Sequence, residues 1–206
     1  MRPLSRRFYV RDPRAVARAL LGKVLVRGRG KRALMGRIVE VEAYLGAGDA
    51  AAHAASGLTR RNAVIFGPGG HAYVYFTYGM HYCLNVSCME EGEAGCVLIR
   101  ALEPLAGQGT MARRRGLGLE CSSRNTLPGR LARRLASGPA MLCEAFAITR
   151  ARDNGRDLTS KESGLWIGDD GYAARRIVTA RRIGISKSAE LPLRYFLSGN
   201  GFVSRS

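Results

Sequence analysis

Arg37-Ile38-Val39-Glu40-Val41-Glu42-Ala43-Tyr44 is the stretch from which the fold is best read. Apolar and charged residues alternate along it, and a strand sends successive side chains to opposite faces. Ile38, Glu40, Glu42 and Tyr44 therefore share one face, while Val39, Val41 and Ala43 point the other way, into a core. Two carboxylates on one strand face admit two readings. The pattern alone favours a half-solvated sheet face. The alternative is an acid–base pair of glycosidase type, because residues two apart on a strand stand ~6–7 Å from each other, a separation such pairs use. The strand by itself leaves both open.

Outward from this strand, the chain reads as strands joined by turns. Upstream lies a strand at Lys23–Arg27, connected through the Gly-Arg-Gly-Lys turn at 28–31 to the strand at Gly36–Tyr44. Before it, Asp12 and Pro13 start a helix over Pro13–Leu21 that stops at Gly22. Downstream, Leu45–Asn62 is small, polar and Gly/Ala-rich, a loop with a helical turn, and Pro68-Gly69-Gly70 marks another turn. Ala72–Thr77 and Tyr82–Ser87 alternate around Tyr78-Gly79-Met80-His81, the pattern of a hairpin with Tyr78 near its tip. Further strands are expected at Cys96–Leu102, near Gly164–Ile167, at Ile177–Arg181 and at Arg194–Leu197. Helix and loop are expected over the arginine-rich residues 111–134, and a short apolar helix over Ala140–Ala147. Strands that cluster without crossover helices argue for an α+β fold, a single domain over residues 1–206 with a curved, mostly antiparallel sheet, surrounding helices and a protruding hairpin.

Composition narrows the partners. The chain carries 33 Lys and Arg against 16 Asp and Glu, a net charge of +17. Its preference for arginine over lysine reads as genome composition, but the twofold excess of basic residues does not. It favours a polyanion, whose condensed counterions are released on contact. An anionic membrane surface or an RNA-rich particle fits that charge as well. Five cysteines without a C-x-x-C pair, and three histidines without H-E-x-x-H spacing, give no disulfide framework and no metal site. The cysteines read as small buried hydrophobes in a reducing cytosol. No run approaches the ~18 apolar residues of a membrane span. The basic N-terminus has no apolar run of signal type. The expected location is the cytoplasm, at the nucleoid in a bacterium.

The hairpin carries the second chemical signal. Tyr73, Tyr75 and Thr77 share a face backed by Ala72, Val74 and Phe76, and on the return strand Cys83, Asn85 and Ser87 share one backed by Tyr82, Leu84 and Val86. Aromatic rings beside an amide suit a flat heterocycle, which the rings stack on and the amide reads at its edge. A tyrosine at an exposed turn, Tyr78, is the kind of wedge that replaces an extruded nucleotide. Tyr73 and Tyr82 read as ordinary hairpin core.

Three runs then resemble one family: Gly36 to Gly46, Tyr73 to Asn85, and Val97 to Leu105 are similar to the alkyladenine (3-methyladenine-type) DNA glycosylases. Arg61-Asn62, Ser137-Gly138-Pro139, Arg181 to Ile185 and Leu193 to Phe196 extend the resemblance over essentially the whole chain. The resemblance implies a base-excision-repair enzyme that flips a damaged purine from double-stranded DNA and hydrolyses its N-glycosidic bond. It implies no cofactor, no metal and a monomer. By the same resemblance Glu42 is the general base, with Glu40 supporting. Arg100 holds the water and the carboxylate, and the backbone carbonyl of Ile183 is a third water contact. Tyr44 stacks on one side of the base, His53 and Tyr75 on the other. Asn85 crowds the 2-amino group of guanine, and Tyr78 intercalates. No lysine lies in these runs, so a hydrolysis without a lyase step is expected. Ile65 stands where the family commonly has methionine, and Ala140-Met141 where it has a small residue and a lysine. Two rivals remain at this level: a non-catalytic binding module, which would not need Glu42 and Arg100, and an O-glycoside hydrolase using Glu40 and Glu42, to which the charge is ill suited.

Overall fold

A short strand and one helical turn, β1 (Arg2–Pro3) and α1 (Arg6–Tyr9), open the chain in a computed structural model that describes residues 1–77, 79–118 and 127–204. In α2 (Pro13–Leu20) the Asp12 carboxylate accepts the N–H of Arg14 at 2.8 Å, and Pro13 occupies the first helical position, where a missing N–H costs nothing. Pro13, Val16, Ala17 and Leu20 are buried, the spacing of one helix face. The strands β2 (Val24–Arg27), β3 (Leu34–Tyr44), β4 (Ala72–Thr77), β5 (His81–Ser87) and β6 (Cys96–Ala106) follow. Then come α3 (Gln108–Arg114), α4 (Gly129–Ala136), α5 (Pro139–Ala145) and α6 (Arg150–Asp153), and finally β7 (Leu165–Asp169), β8 (Ile177–Ala180) and β9 (Arg194–Leu197).

All pairings among these strands are antiparallel, in the order β1-β7-β2-β3-β6-β5-β4, and the sheet curls into a half-barrel. One edge of β3 is shared: its first residues pair with β2, and Glu40 to Glu42 pair with β9, which in turn pairs with β8. The fold is α+β, as expected. β4 and β5 pair from Ala72↔Val86 to Thr77↔His81; Tyr78, expected at their tip, lies outside the described residues.

Strict alternation on β3 fails at one point. Ile38 pairs with Leu102 and Glu40 with Ala101, so Val39 is an extra residue. Val41 then pairs with Ile99, so Arg100 is an extra residue on the partner strand. Two opposed bulges shift the pleat and restore the register. As a result Ile38 does not share the face of the glutamates: it packs in the main core with Val39, Val41, Ala43, Ile99, Ala101 and Leu102. β6 also runs four residues past the expected end, through Pro104, which the sheet tolerates where the register slips between Met35 and Gly36.

Helices α4 and α5 close the sheet against β5 and β6, contributing Leu135, Ala136, Leu142 and Cys143 to the same core. Cys83, Cys88, Cys96 and Cys143 are free and buried, in keeping with their reading as small hydrophobes; Cys121 lies outside the described residues. Arg27 on β2 donates both arms of its guanidinium to Asp153 at 2.9 and 2.8 Å, pinning α6 to the sheet. Burial works against the Asp153 charge, but the bonds from Arg27 outweigh it and hold its pKa below the usual carboxylate value.

Past β3, the chain turns at Gly46 with φ +88°, a left-handed conformation. A Cβ there would lie 2.4 Å from the carbonyl oxygen of Ala94. Gly46→Ala is expected to destabilise the protein by at least about 2 kcal/mol, from left-handed strain and overlap together. An unchanged urea midpoint would show that the turn relaxes freely.

Candidate active site

Where β3 and β6 carry their bulges, three charges stand together. Arg100, 8 % exposed, donates from Nε to Glu40 Oε1 at 3.0 Å, and its terminal nitrogen stands in an ion pair with Glu42 Oε1 at 3.0 Å. Both carboxylates are fully buried, so the half-solvated sheet face is excluded. Burial opposes the Arg100 charge, and the two carboxylates outweigh that penalty. The glutamates differ in their surroundings. Glu40 also accepts from Arg194 at 3.3 Å and from the N–H and hydroxyl of Ser204 at 2.7 and 2.9 Å. With four donors on its two oxygens, Glu40 is an anchor for the C-terminal segment, which removes the argument for a Glu40–Glu42 acid–base pair.

Glu42 is held more sparingly. Its Oε1 takes the Arg100 contact and the N–H of Ile183 at 2.8 Å; among the described residues its Oε2 accepts only the Tyr44 hydroxyl, at 3.1 Å. Burial raises the Glu42 pKa above the usual glutamate value, opposed by Arg100, the Ile183 N–H and the Tyr44 hydroxyl. The result is a carboxylate more basic than usual with one oxygen open to a further donor. Burial, with help from Glu42, raises the Tyr44 hydroxyl far above its ordinary value and keeps it a proton donor.

Tyr44, Arg100 and Ile183 line a cavity of about 360 Å³, and Glu42 stands directly behind them. Its walls also carry His53, Tyr73, Tyr75, Asn85, Leu98 and Pro139. The structure thus gathers Tyr44, His53, Tyr75, Asn85, Arg100 and Ile183 around one space, with Glu42 bonded to three of its lining residues. Asn85, 2 % exposed, donates to the carbonyl of Tyr73 at 3.3 Å. His53 meets Tyr75 edge-on, with ring centroids 4.5 Å apart, and its Nδ1 lies 2.9 Å from the Tyr73 hydroxyl. The loop bearing His53 is braced by Asn62, whose amide donates to the carbonyls of His53 and Gly57 at 2.9 Å each.

Tyr73 is core, as read from the hairpin, and serves the cavity as well. It is buried, but it also walls the cavity and bonds His53, and burial pushes its hydroxyl up to about 12. Phe76, expected behind the tyrosines, is 44 % exposed, because burial fades toward the end of β4. Sequence reasoning missed Asp49 and Arg182, a fully buried pair beneath Tyr44. Asp49 sits in a Gly/Ala-rich loop and Arg182 lies 133 residues away, so no spacing announces them. Ile183 was expected to act through its carbonyl; the contact found here is its N–H on Glu42. Among the described residues no group of three His, Cys, Asp or Glu is placed to hold a metal ion, and no helix is long and apolar enough to cross a membrane.

This arrangement can be set beside known proteins. Residues 7–201 match the model of the methylpurine-DNA glycosylase family. A relative from Koribacter versatilis, provisionally named a 3-methyladenine DNA glycosylase, is 57 % identical over 202 residues, covering 98 % of this chain and 93 % of the relative. Relatives with the same provisional name from Carboxydothermus hydrogenoformans and Methanoculleus marisnigri are each 45 % identical, covering 98 % of both chains and 96 % of both chains respectively.

His53 offers a direct check of the cavity's electrostatics. Burial, and then the nearby Arg61 charge, lower its pKa below the ordinary 6.5. NMR titration is expected to find its imidazole neutral at pH 6.5, with Arg61→Gln moving the midpoint upward. A midpoint at or above 6.5 in the unaltered protein would contradict both causes.

Proposed function

The chain belongs to the methylpurine-DNA glycosylase family, enzymes that hydrolyse N-glycosyl bonds in DNA repair, and we propose that it excises alkylated or deaminated purines with a water activated by Glu42. Candidate substrates are 3-methyladenine, 7-methylguanine, hypoxanthine and ethenoadenine in duplex DNA, met in the cytoplasm. The observation that carries this reading is Glu42 itself: a fully buried carboxylate with raised basicity, one oxygen open, directly behind an aromatic-walled cavity.

In this reading the damaged purine enters the cavity, with Tyr44 on one side and His53 and Tyr75 on the other. Glu42 takes a proton from water as the water oxygen bonds to C1′. The bond from C1′ to the purine nitrogen breaks, and its electron pair leaves with the base. A methylated purine such as 3-methyladenine or 7-methylguanine carries a positive charge, so it departs neutral and needs no acid, whereas hypoxanthine and ethenoadenine are neutral and take up one proton from solvent as they leave. The ionised carboxylate also stabilises the oxocarbenium character of the sugar. Arg100 orients the carboxylate, and the Ile183 segment closes the water site, with its carbonyl as a further acceptor. Asn85, locked against Tyr73, is the group that crowds the 2-amino substituent of guanine. Tyr78 fills the gap that the extruded nucleotide leaves in the duplex, a role that rests on the sequence. Hydrolysis by water alone leaves an abasic site with the strand intact.

A single-turnover assay on duplexes holding each lesion tests the reading. Glu42→Gln is expected to lose base release by at least about a hundredfold while keeping lesion binding, and Tyr78→Ser to weaken that binding. No strand break is expected before alkali treatment. Because the base must be ionised, the rate falls as pH falls, with the acid limb above the ordinary glutamate value. Release undiminished in Glu42→Gln, or an acid limb at or below that value, would remove Glu42 as the base.

Asn85→Ser opens space at the purine edge. Excision of undamaged guanine is expected to rise by about tenfold or more, since a misplaced polar edge group costs on the order of 1–3 kcal/mol. An unaltered guanine rate would transfer the exclusion to another wall of the cavity.

A further inference from the structure

Asp49 and Arg182 form the one ion pair among the described residues in which both side chains are 0 % exposed. The two arms of the guanidinium meet the two carboxylate oxygens at 2.5 and 2.8 Å and also donate to the carbonyls of Ala43 at 3.1 Å and Ser188 at 3.2 Å. Asp49 further accepts the N–H groups of Leu45 and Ala51, both at 3.2 Å. The guanidinium carbon lies 4.6 Å from the centroid of the Tyr44 ring. Tyr44 lines the cavity and Arg182 does not, so the ring separates the guanidinium from the space a base would fill. The Arg182 Nε is buried without a hydrogen-bond partner among the described residues, leaving the π face of Tyr44 as the compensation for that edge of the group.

A cation on one face of an aromatic ring draws on the same quadrupole that would attract a cation on the other face. It also repels that second cation directly. Across a stacked ring the two charges stand ~8 Å apart, and at an effective dielectric of ~20 an uncompensated pair would repel by about thirtyfold in affinity. Asp49, held in two bonds, cancels the Arg182 charge at its source. We propose that the Asp49–Arg182 pair is a specificity-determining unit: its neutrality lets the Tyr44 platform accept a positively charged purine, and unbalancing it shifts the enzyme between cationic and neutral lesions. This inference rests on the reading of Tyr44 as the base platform. The pair touches no reacting atom; it acts through Tyr44.

The test is the ratio of single-turnover rates on 7-methylguanine and ethenoadenine at pH 6, where 7-methylguanine keeps its N1 proton and is cationic while ethenoadenine is neutral. Asp49→Asn leaves a positive charge behind the ring, so the ratio is expected to fall by about fivefold or more. Arg182→Gln leaves a negative one, and the ratio is expected to rise by at least about twofold. The combined Asp49→Asn, Arg182→Gln variant carries no unpaired buried charge and should fold even where a single change does not. Its ratio is expected within about twofold of the unaltered protein. A merely structural role would slow both lesions alike, leave the ratio fixed and overturn the proposal. So would a shift of the two single variants in the same direction, or a combined variant displaced by about fivefold or more. Failure of the unaltered protein to release either base would instead bring down the glycosylase reading, and this inference with it.

Discussion

Arg100, held between two buried carboxylates, is the constraint on which the rest of the molecule depends. Glu40 and Glu42 stand two residues apart on one strand, and two carboxylates removed from water at that spacing would not both stay ionised without a cation. Arg100 reaches both from β6, the strand paired with this part of β3. Arg194 from β9 and Ser204 beyond it complete the satisfaction of Glu40, so the chain's final described residue is tied to the strand that bears Glu42.

A second set of contacts gathers the loops onto this frame. Arg182 and Asp49 join the segment after β8 to the loop after β3, and both segments contribute to the cavity wall. Ile183 follows Arg182 directly and places its N–H on Glu42, while Asp49 fixes the start of the loop that carries Ala51 and His53. Removing either partner would leave a buried charge uncompensated, typically a loss of about 3–5 kcal/mol. The same contact that secures the loops also controls what lies under Tyr44, so structural and electrostatic roles coincide in one ion pair.

Much of this was legible in the sequence because local patterns are short-ranged. The cap at Asp12, the strand from Arg37 to Tyr44, and the alternation around Tyr73 to Ser87 each fall within a few residues. Six residues singled out for the site line one cavity, with Glu42 immediately behind it. What escaped depends on distant partners or on register. A bulge adds no residue type of its own, so nothing in Ile38-Val39-Glu40 says that Ile38 turns to the core. Tyr73 looks like core because it is core; only its hydroxyl, bonded to a histidine from another loop, makes it part of the wall. Asp49 and Arg182 have no spacing rule, and α1 and α6, at four residues each, are too short for any periodicity to show.

The charge distribution then has a consequence for the chemistry. Among the described residues Glu40, Glu42, Asp49 and Asp153 are fully buried, and each is paired with an arginine that is itself largely buried, so the excess of basic charge stays at the surface. A surface of that kind suits the phosphate backbone, and its field is screened within about 10 Å in ordinary salt. The interior obeys a different requirement. A cationic purine brought into a low-dielectric cavity is sensitive to every unpaired charge nearby, and the two buried arginines beside it, Arg100 and Arg182, are each paired with a carboxylate. A basic exterior and a balanced interior are thus complementary demands: one holds a polyanion, and the other admits a cation from it.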